Sequence, residues 1–102
     1  MFDVQVTKAA DEDIDGIVDY IAVKLANPSA ATAFVEKVQT CYNALKQTPM
    51  MFPKCLNPRL QRLGYRKALV SNYILIYKVE TNTQRIYVLR VFYGGQDYVR
   101  KL

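Results

Sequence analysis

The stretch Leu63-Gly64-Tyr65-Arg66-Lys67-Ala68-Leu69-Val70-Ser71-Asn72-Tyr73-Ile74-Leu75-Ile76-Tyr77-Lys78-Val79 decides the fold. It holds two runs rich in Tyr, Val, Ile and Leu, the residues that suit a pleated, half-buried surface. Between them stands only Ser71-Asn72, a short polar pair able to reverse the chain. The spacing predicts a hairpin of two strands, over 65–70 and 73–79. Downstream, Glu80-Thr81-Asn82-Thr83-Gln84 is a second polar turn, and 86–93 is a third apolar, β-branched run. The last half of the chain therefore reads as a strand meander.

Upstream of the hairpin the pattern lapses. Residues 48–64 contain three prolines and no clear period, so an irregular loop is expected there, with room for one short turn or strand. A long loop in a small domain is often functional, and this one holds Lys54, Arg59 and Arg62. Before it, Phe34, Val35, Val38, Cys41, Tyr42 and Leu45 form one stripe of a helix over 28–46. Asn27-Pro28 is its start signal, since Asn caps and Pro fits the first helical position. Ile14, Ile17, Val18, Ile21 and Leu25 form the stripe of an earlier helix over 8–25. Phe2, Val4 and Val6 alternate with polar residues, the period of a strand. The order is β-α-α-β-β-β, an α+β fold. A helix hairpin packs on one face of a small, mostly antiparallel sheet, and the other face is expected to stay open.

The 102 residues suffice for one domain, 1–102, with one core. Composition is ordinary for a globular chain, with 51% hydrophobic and 23% charged residues. No apolar run reaches the roughly 20 residues of a membrane helix, and the start lacks the pattern of a secretory signal, so a cytoplasmic address is expected. The charge is lopsided. Residues 1–53 carry four lysines against seven acids, while 54–102 carry ten basic residues against Glu80 and Asp97. A basic half points to a polyanionic partner, either nucleic acid or an acidic protein segment. Without histidine, Ser-His-Asp and Cys-His chemistry is excluded. Two cysteines make neither a disulfide scaffold nor a zinc site; Cys41 falls on a core stripe, and Cys55 falls in the loop as a candidate free thiol. Asp11, Glu12 and Asp13 sit in the first helix's early turns, where the helix dipole favours negative charge, so no metal is expected. Tyr65, Tyr73, Tyr77 and Tyr87 read as sheet packing, and Gly94-Gly95 as a bend after the last strand.

The 63–79 segment resembles the core of the RelE/ParE superfamily of toxins. Ile86-Tyr87-Val88-Leu89-Arg90-Val91-Phe92-Tyr93-Gly94-Gly95-Gln96-Asp97-Tyr98 is similar to that family's last strand and Gly-x-x-Asp turn. Asp19-Tyr20-Ile21, Asn27-Pro28-Ser29-Ala30-Ala31 and Leu45 with Thr48-Pro49 are similar to the helix hairpin of ParE-like members. The resemblance implies a toxin of a type II toxin–antitoxin system, the growth-arresting kind associated with plasmid stabilization and silenced by a cognate antitoxin. It implies no cofactor. Two outcomes are known in the superfamily: ParE-like poisoning of DNA gyrase and RelE-like cleavage of mRNA on the ribosome.

Cleavage by the RNA's own 2′-hydroxyl needs a base, an acid and cations for the transition state. Of the RelE-like set, Arg66 matches one of a basic pair. Ala68 stands in place of the second, Ile74 and Gln96 in place of two arginines, and the region of Leu102 in place of a tyrosine. The resemblance therefore favours ParE-like inhibition by protein binding. The alternative is an mRNA endoribonuclease with a relocated site, for which Arg66, Lys67, Arg90 and Tyr93 are the catalytic candidates. Arg59, Arg62, Arg66, Lys67 and Arg90 are the candidates for contact with target or antitoxin. Arg66 is the best match, yet strand alternation puts it with Ala68 and Val70, which look core-facing, and puts Lys67 with Tyr65 and Leu69. A bulge or an early strand start is needed if Arg66 is to face outward.

Overall fold

In the computed structural model, which describes residues 1–102, the meander forms as its composition dictates. Strands β2 (Tyr65–Val70), β3 (Tyr73–Glu80) and β4 (Arg85–Tyr93) pair antiparallel in sequence. Ser71 takes the left-handed conformation that closes the first turn. The first strand, β1 (Asp3–Val6), lies parallel to β4, so the sheet is mixed, in the order β1-β4-β3-β2. Parallel neighbours need a long crossover, and the helices supply its first part.

Helix α1 (Lys8–Asp19) starts at Thr7, whose hydroxyl accepts the Ala10 N–H at 3.1 Å. Helix α2 (Pro28–Gln47) starts at Asn27, whose side chain accepts the Ala30 N–H at 3.1 Å. The second stripe behaves as its period requires: Ala31, Phe34, Val38, Cys41 and Leu45 are buried against Ala68, Val70, Leu75, Tyr77, Ile86 and Val88 of the sheet. The first stripe is broken. Residues Tyr20–Lys24 widen into a π-helical turn, and the chain leaves it through Ala26 at a positive φ. That extra residue per turn rotates Leu25 off the stripe, and it is exposed, whereas Ile21 is buried. Ile17 is half-buried.

Two further expectations need correction. Residues 48–64 are not irregular throughout. Asn57 caps a short helix α3 (Pro58–Arg62), and Lys54 bridges antiparallel to Arg66. Nor is the sheet's second face open. Cys55 and Leu60, with Tyr98 and Val99 from the C-terminal 3₁₀ turn (Tyr98–Lys101) and Leu102 just after it, cover Ile74, Ile76 and Phe92 in a second small core. The apolar residues at even positions of β3 required such a cover; strand alternation shows them, but a proline-rich loop gives no period from which to see what covers them. No helix is long and apolar enough to cross a membrane.

Candidate binding surface

Burial and pairing sort the cations. Arg66 lies in an unbroken register, opposite Tyr77, with its side chain on the helix side of the sheet. Alternation prevails over the bulge that would have turned it outward. Its Nη1 donates to the Phe52 carbonyl at 2.7 Å, beside the Tyr77 hydroxyl, which donates to Pro49 at 2.9 Å. With the Lys54 bridge, these bonds fasten the proline-rich loop to the edge of β2. Arg66 therefore holds the loop, and its charge satisfies a carbonyl.

The sheet's one bulge is in β4, where Ile76 opposes Arg90 and Tyr77 opposes Val88, leaving Leu89 unpaired. The bulge takes Arg90 off the helix side, where Ile86 and Val88 point, and onto the Phe92 face, with its guanidinium 4.7 Å from the centre of that ring. Its Nε and Nη2 donate to the Asp13 carboxylate at 2.7 and 3.0 Å, and the same carboxylate accepts the Val91 N–H at 2.9 Å. This fork-to-carboxylate geometry is the strong form of an ion pair. The Asp13 hydrogen bond raises the Arg90 guanidinium above its ordinary value. The Arg90 charge is thus spent within the molecule. Asp13, read from sequence as a helix-start acid, proves to be the partner of β4. Its place beside Ile14 and one turn before Ile17, at the border of the apolar stripe, was the available signal.

Lys67 faces the other way, opposite Ile76, with its ammonium 5.8 Å from the centre of the Tyr98 ring. Arg59 donates to the main-chain oxygens of Val99 and Leu102 at 3.2 and 3.4 Å, and so pins the C-terminal turn. Arg62 is exposed at the end of α3. Tyr93 is exposed at the end of β4, where its N–H donates to the Gln96 side chain at 2.8 Å. The four catalytic candidates do not meet at one site: Arg66 is on the helix side and Lys67 on the opposite face, while Arg90, bound to Asp13 of α1, and Tyr93 at the strand end line one cavity of about 860 Å³ together with Tyr73 and Lys101.

Only Lys8, Arg90 and Arg100 pair with an Asp or Glu side chain. Lys54, Arg62, Lys67 and Lys78 therefore leave unneutralised positive charge on α3, β2, β3 and the loop before them. Such charge attracts an anionic partner over about a Debye length. The thiols are not nucleophiles in waiting. Burial pushes Cys41 up to about 11, and burial raises Cys55 despite the opposing influence of Lys67.

A helix pair packed on a mixed four-stranded sheet in the order β-α-α-β-β-β is the fold of the RelE/ParE type. The family model for the ParE toxin of type II toxin–antitoxin systems matches residues 4–98, and the chain belongs to that family. No curated protein sequence matches it. Among solved structures, it is similar to the chromosomal ParDE toxin–antitoxin system of P. aeruginosa, with TM-score 0.71, 22% identity, and 91% of this chain and 96% of that one covered. The RelBE2 toxin–antitoxin complex of Mycobacterium tuberculosis aligns with TM-score 0.64 at 23% identity, covering 90% and 96%. YafQ of E. coli aligns with TM-score 0.58 at 19% identity, covering 91% and 93%. At these identities the likeness to the three structures concerns the fold. The toxin assignment rests on the family match.

Proposed function

We propose that this toxin arrests growth by binding its target, with DNA gyrase as that target, and that it cuts no nucleic acid itself. The whole chain, 1–102, acts as one unit in the cytoplasm, and a cognate antitoxin of acidic character silences it. The observation that supports this reading is that Arg66 and Lys67 lie on opposite faces of the sheet, away from the cavity that Arg90 and Tyr93 share, where Arg90 is already neutralised by Asp13. Each missing transition-state donor costs about 3–4 kcal/mol, or two to three orders of magnitude in rate. A site lacking several is no effective nuclease. Arg62 and Lys67, with Lys54, are the contacts to target, because they are the candidates whose charge is still available. Arg59, Arg66 and Arg90 serve the fold.

One observation favours the alternative, mRNA cleavage from a relocated site. Lys67 and Tyr98, a cation and a phenol, lie together on the face away from the helices. Induction of the chain in cells decides between the readings. Gyrase binding predicts that DNA replication stops before translation and that antitoxin co-expression restores both; translation stopping first favours cleavage.

A further inference from the structure

Backbone accounting along the sheet singles out β1. Where β1 stops short of the end of β4, side chains close the ladder: Asp13 takes the Val91 N–H and Gln96 takes the Tyr93 N–H. Nothing of the kind covers the outer edge of β1 itself. The N–H groups of Asp3 and Thr7 donate inward, to the Gln84 and Val88 carbonyls at 2.9 and 3.0 Å. Alternation then turns the N–H and C=O of Val4 and Val6 outward, and no loop or side chain meets them. The strand also lacks the usual protections of an edge. Asp3-Val4-Gln5-Val6 holds no proline and no lysine, and it runs in unbroken register with β4. An edge of this kind is a template for another chain.

The side chains of this edge suit one occupant. Val4 and Val6 share the helix side with Ile86 and Val88, and Val6 is 39% exposed at the border of the core. Asp3 and Gln5 lie on the other face, where the Gln5 amide donates to the Asp3 carboxylate. Lys8, just past the strand, has a side chain 92% exposed, and its one acidic partner is Glu12 at 4.0 Å on the same helix. Lay a second copy antiparallel about a two-fold axis at Gln5, and Val4 of each copy meets Val6 of the other, each pair exchanging both main-chain bonds. The valines then form one apolar strip, and the two Gln5 side chains stand face to face. Asp3 of each copy comes opposite Thr7 of the other, next to Lys8. This is the self-matching arrangement of a two-fold interface. An acidic segment would instead meet Asp3, with Asp11 and Glu12 close by in the following helix.

We propose that this chain, free of antitoxin, pairs with a second copy of itself through β1, so that the two sheets join into one across a two-fold axis at Gln5. The strands are short and the apolar strip is small, so the dimer is weak, with a dissociation constant on the order of 10 µM. β2 lies at the opposite edge of the sheet, and Lys54, Arg62 and Lys67 therefore stay open on both copies. The dimer presents these cations twice, which strengthens engagement with any target that offers the matching site twice. The pairing itself does not depend on which target that is.

The test uses the purified full chain alone. Sedimentation velocity, over concentrations that bracket the expected constant by about tenfold on either side, measures self-association of wild type, Val6→Pro, Asp3→Lys, Lys8→Asp and the combined charge swap. Proline at 6 leaves the β1–β4 ladder intact, since the N–H it removes points outward. The proposal predicts a wild-type dimer and association at least about tenfold weaker for Val6→Pro, because symmetry deletes that bond twice. Each single charge change sets like charges against each other across the axis and weakens the dimer by about threefold, and the combined swap regains part of the loss. Amide exchange at Val4 and Val6 slows as the wild-type concentration rises. A chain that stays monomeric throughout, with fast exchange at both amides, overturns the proposal, and so does a dimer that Val6→Pro leaves intact. Slowing at Val4 and Val6 only when the antitoxin is added assigns the edge to that partner and also overturns it. Should Val6→Pro fail to fold, the charge swap and the exchange measurement on wild type still decide.

Discussion

Removing the Asp13 carboxylate tests the assignment of Arg90 to the fold. In wild type this one group accepts the Arg90 fork at 2.7 and 3.0 Å and the Val91 N–H at 2.9 Å. The Arg90 and Asp13 side chains keep 29% and 17% exposure, so the pair is only partly wet. In Asp13→Ala the Val91 N–H loses its partner at about 1–3 kcal/mol. The stranded guanidinium adds about 1 kcal/mol, the lower range because water reaches it. A loss of roughly 3 kcal/mol is expected. Urea unfolding of the purified toxin measures it: with a slope of about 1.5 kcal/mol per molar, the midpoint falls by about 2 M. Asp13→Asn keeps one acceptor and loses about half as much. A double-mutant cycle with Arg90→Met isolates the pair and should give a coupling of at least about 1 kcal/mol. A loss under about 0.5 kcal/mol in Asp13→Ala, or an Arg90→Met cost that does not depend on residue 13, would refute the reasoning. Arg90 would then be free to meet a target.

Three other outcomes are expected. Val38→Ala and Leu45→Ala, both at the helix–sheet contact, lose about 2–4 kcal/mol in the same unfolding assay. Stability conferred by the Cys41 thiol is complete below pH 9, the ordinary thiol value, and falls as pH rises through about 11, because the unfolded chain ionises first. The fall over that window is up to about 2–3 kcal/mol, and Cys41→Ala flattens it when unfolding is followed from pH 8 to 11. Charge reversal at Arg62 and Lys67 weakens target binding and its salt dependence while leaving the unfolding midpoint within about 0.5 kcal/mol, as suits exposed or half-exposed side chains.

The fold was legible where a period ran unbroken. Phe34, Val38, Cys41 and Leu45 keep helical spacing and are buried, and the Ser71-Asn72 turn separates strands that pair as expected. It was illegible where geometry departs from a regular repeat. Leu25 has the right spacing for an α-helix, but the π turn before it moves it into solvent. Cys55 and Leu60 show no pattern in a proline-rich segment, and yet they close the second core. For the site, alternation alone ranked Arg66 and Lys67 correctly by face. The family resemblance pointed to Arg66, which the structure places on a loop carbonyl. The Asp13–Arg90 link spans 77 residues, so the place of Asp13 at the border of the apolar stripe marks it as a border acid without naming its partner, and no local pattern announces the bulge at Leu89.

The central claim, inhibition by binding, is tested most directly by adding purified toxin to two reconstituted reactions: supercoiling by DNA gyrase, and translation of a defined mRNA by ribosomes. The account predicts that supercoiling is inhibited and that antitoxin restores it, while the mRNA stays intact with and without ribosomes. Unimpaired gyrase together with codon-specific mRNA cuts that disappear in Arg66→Ala would contradict it.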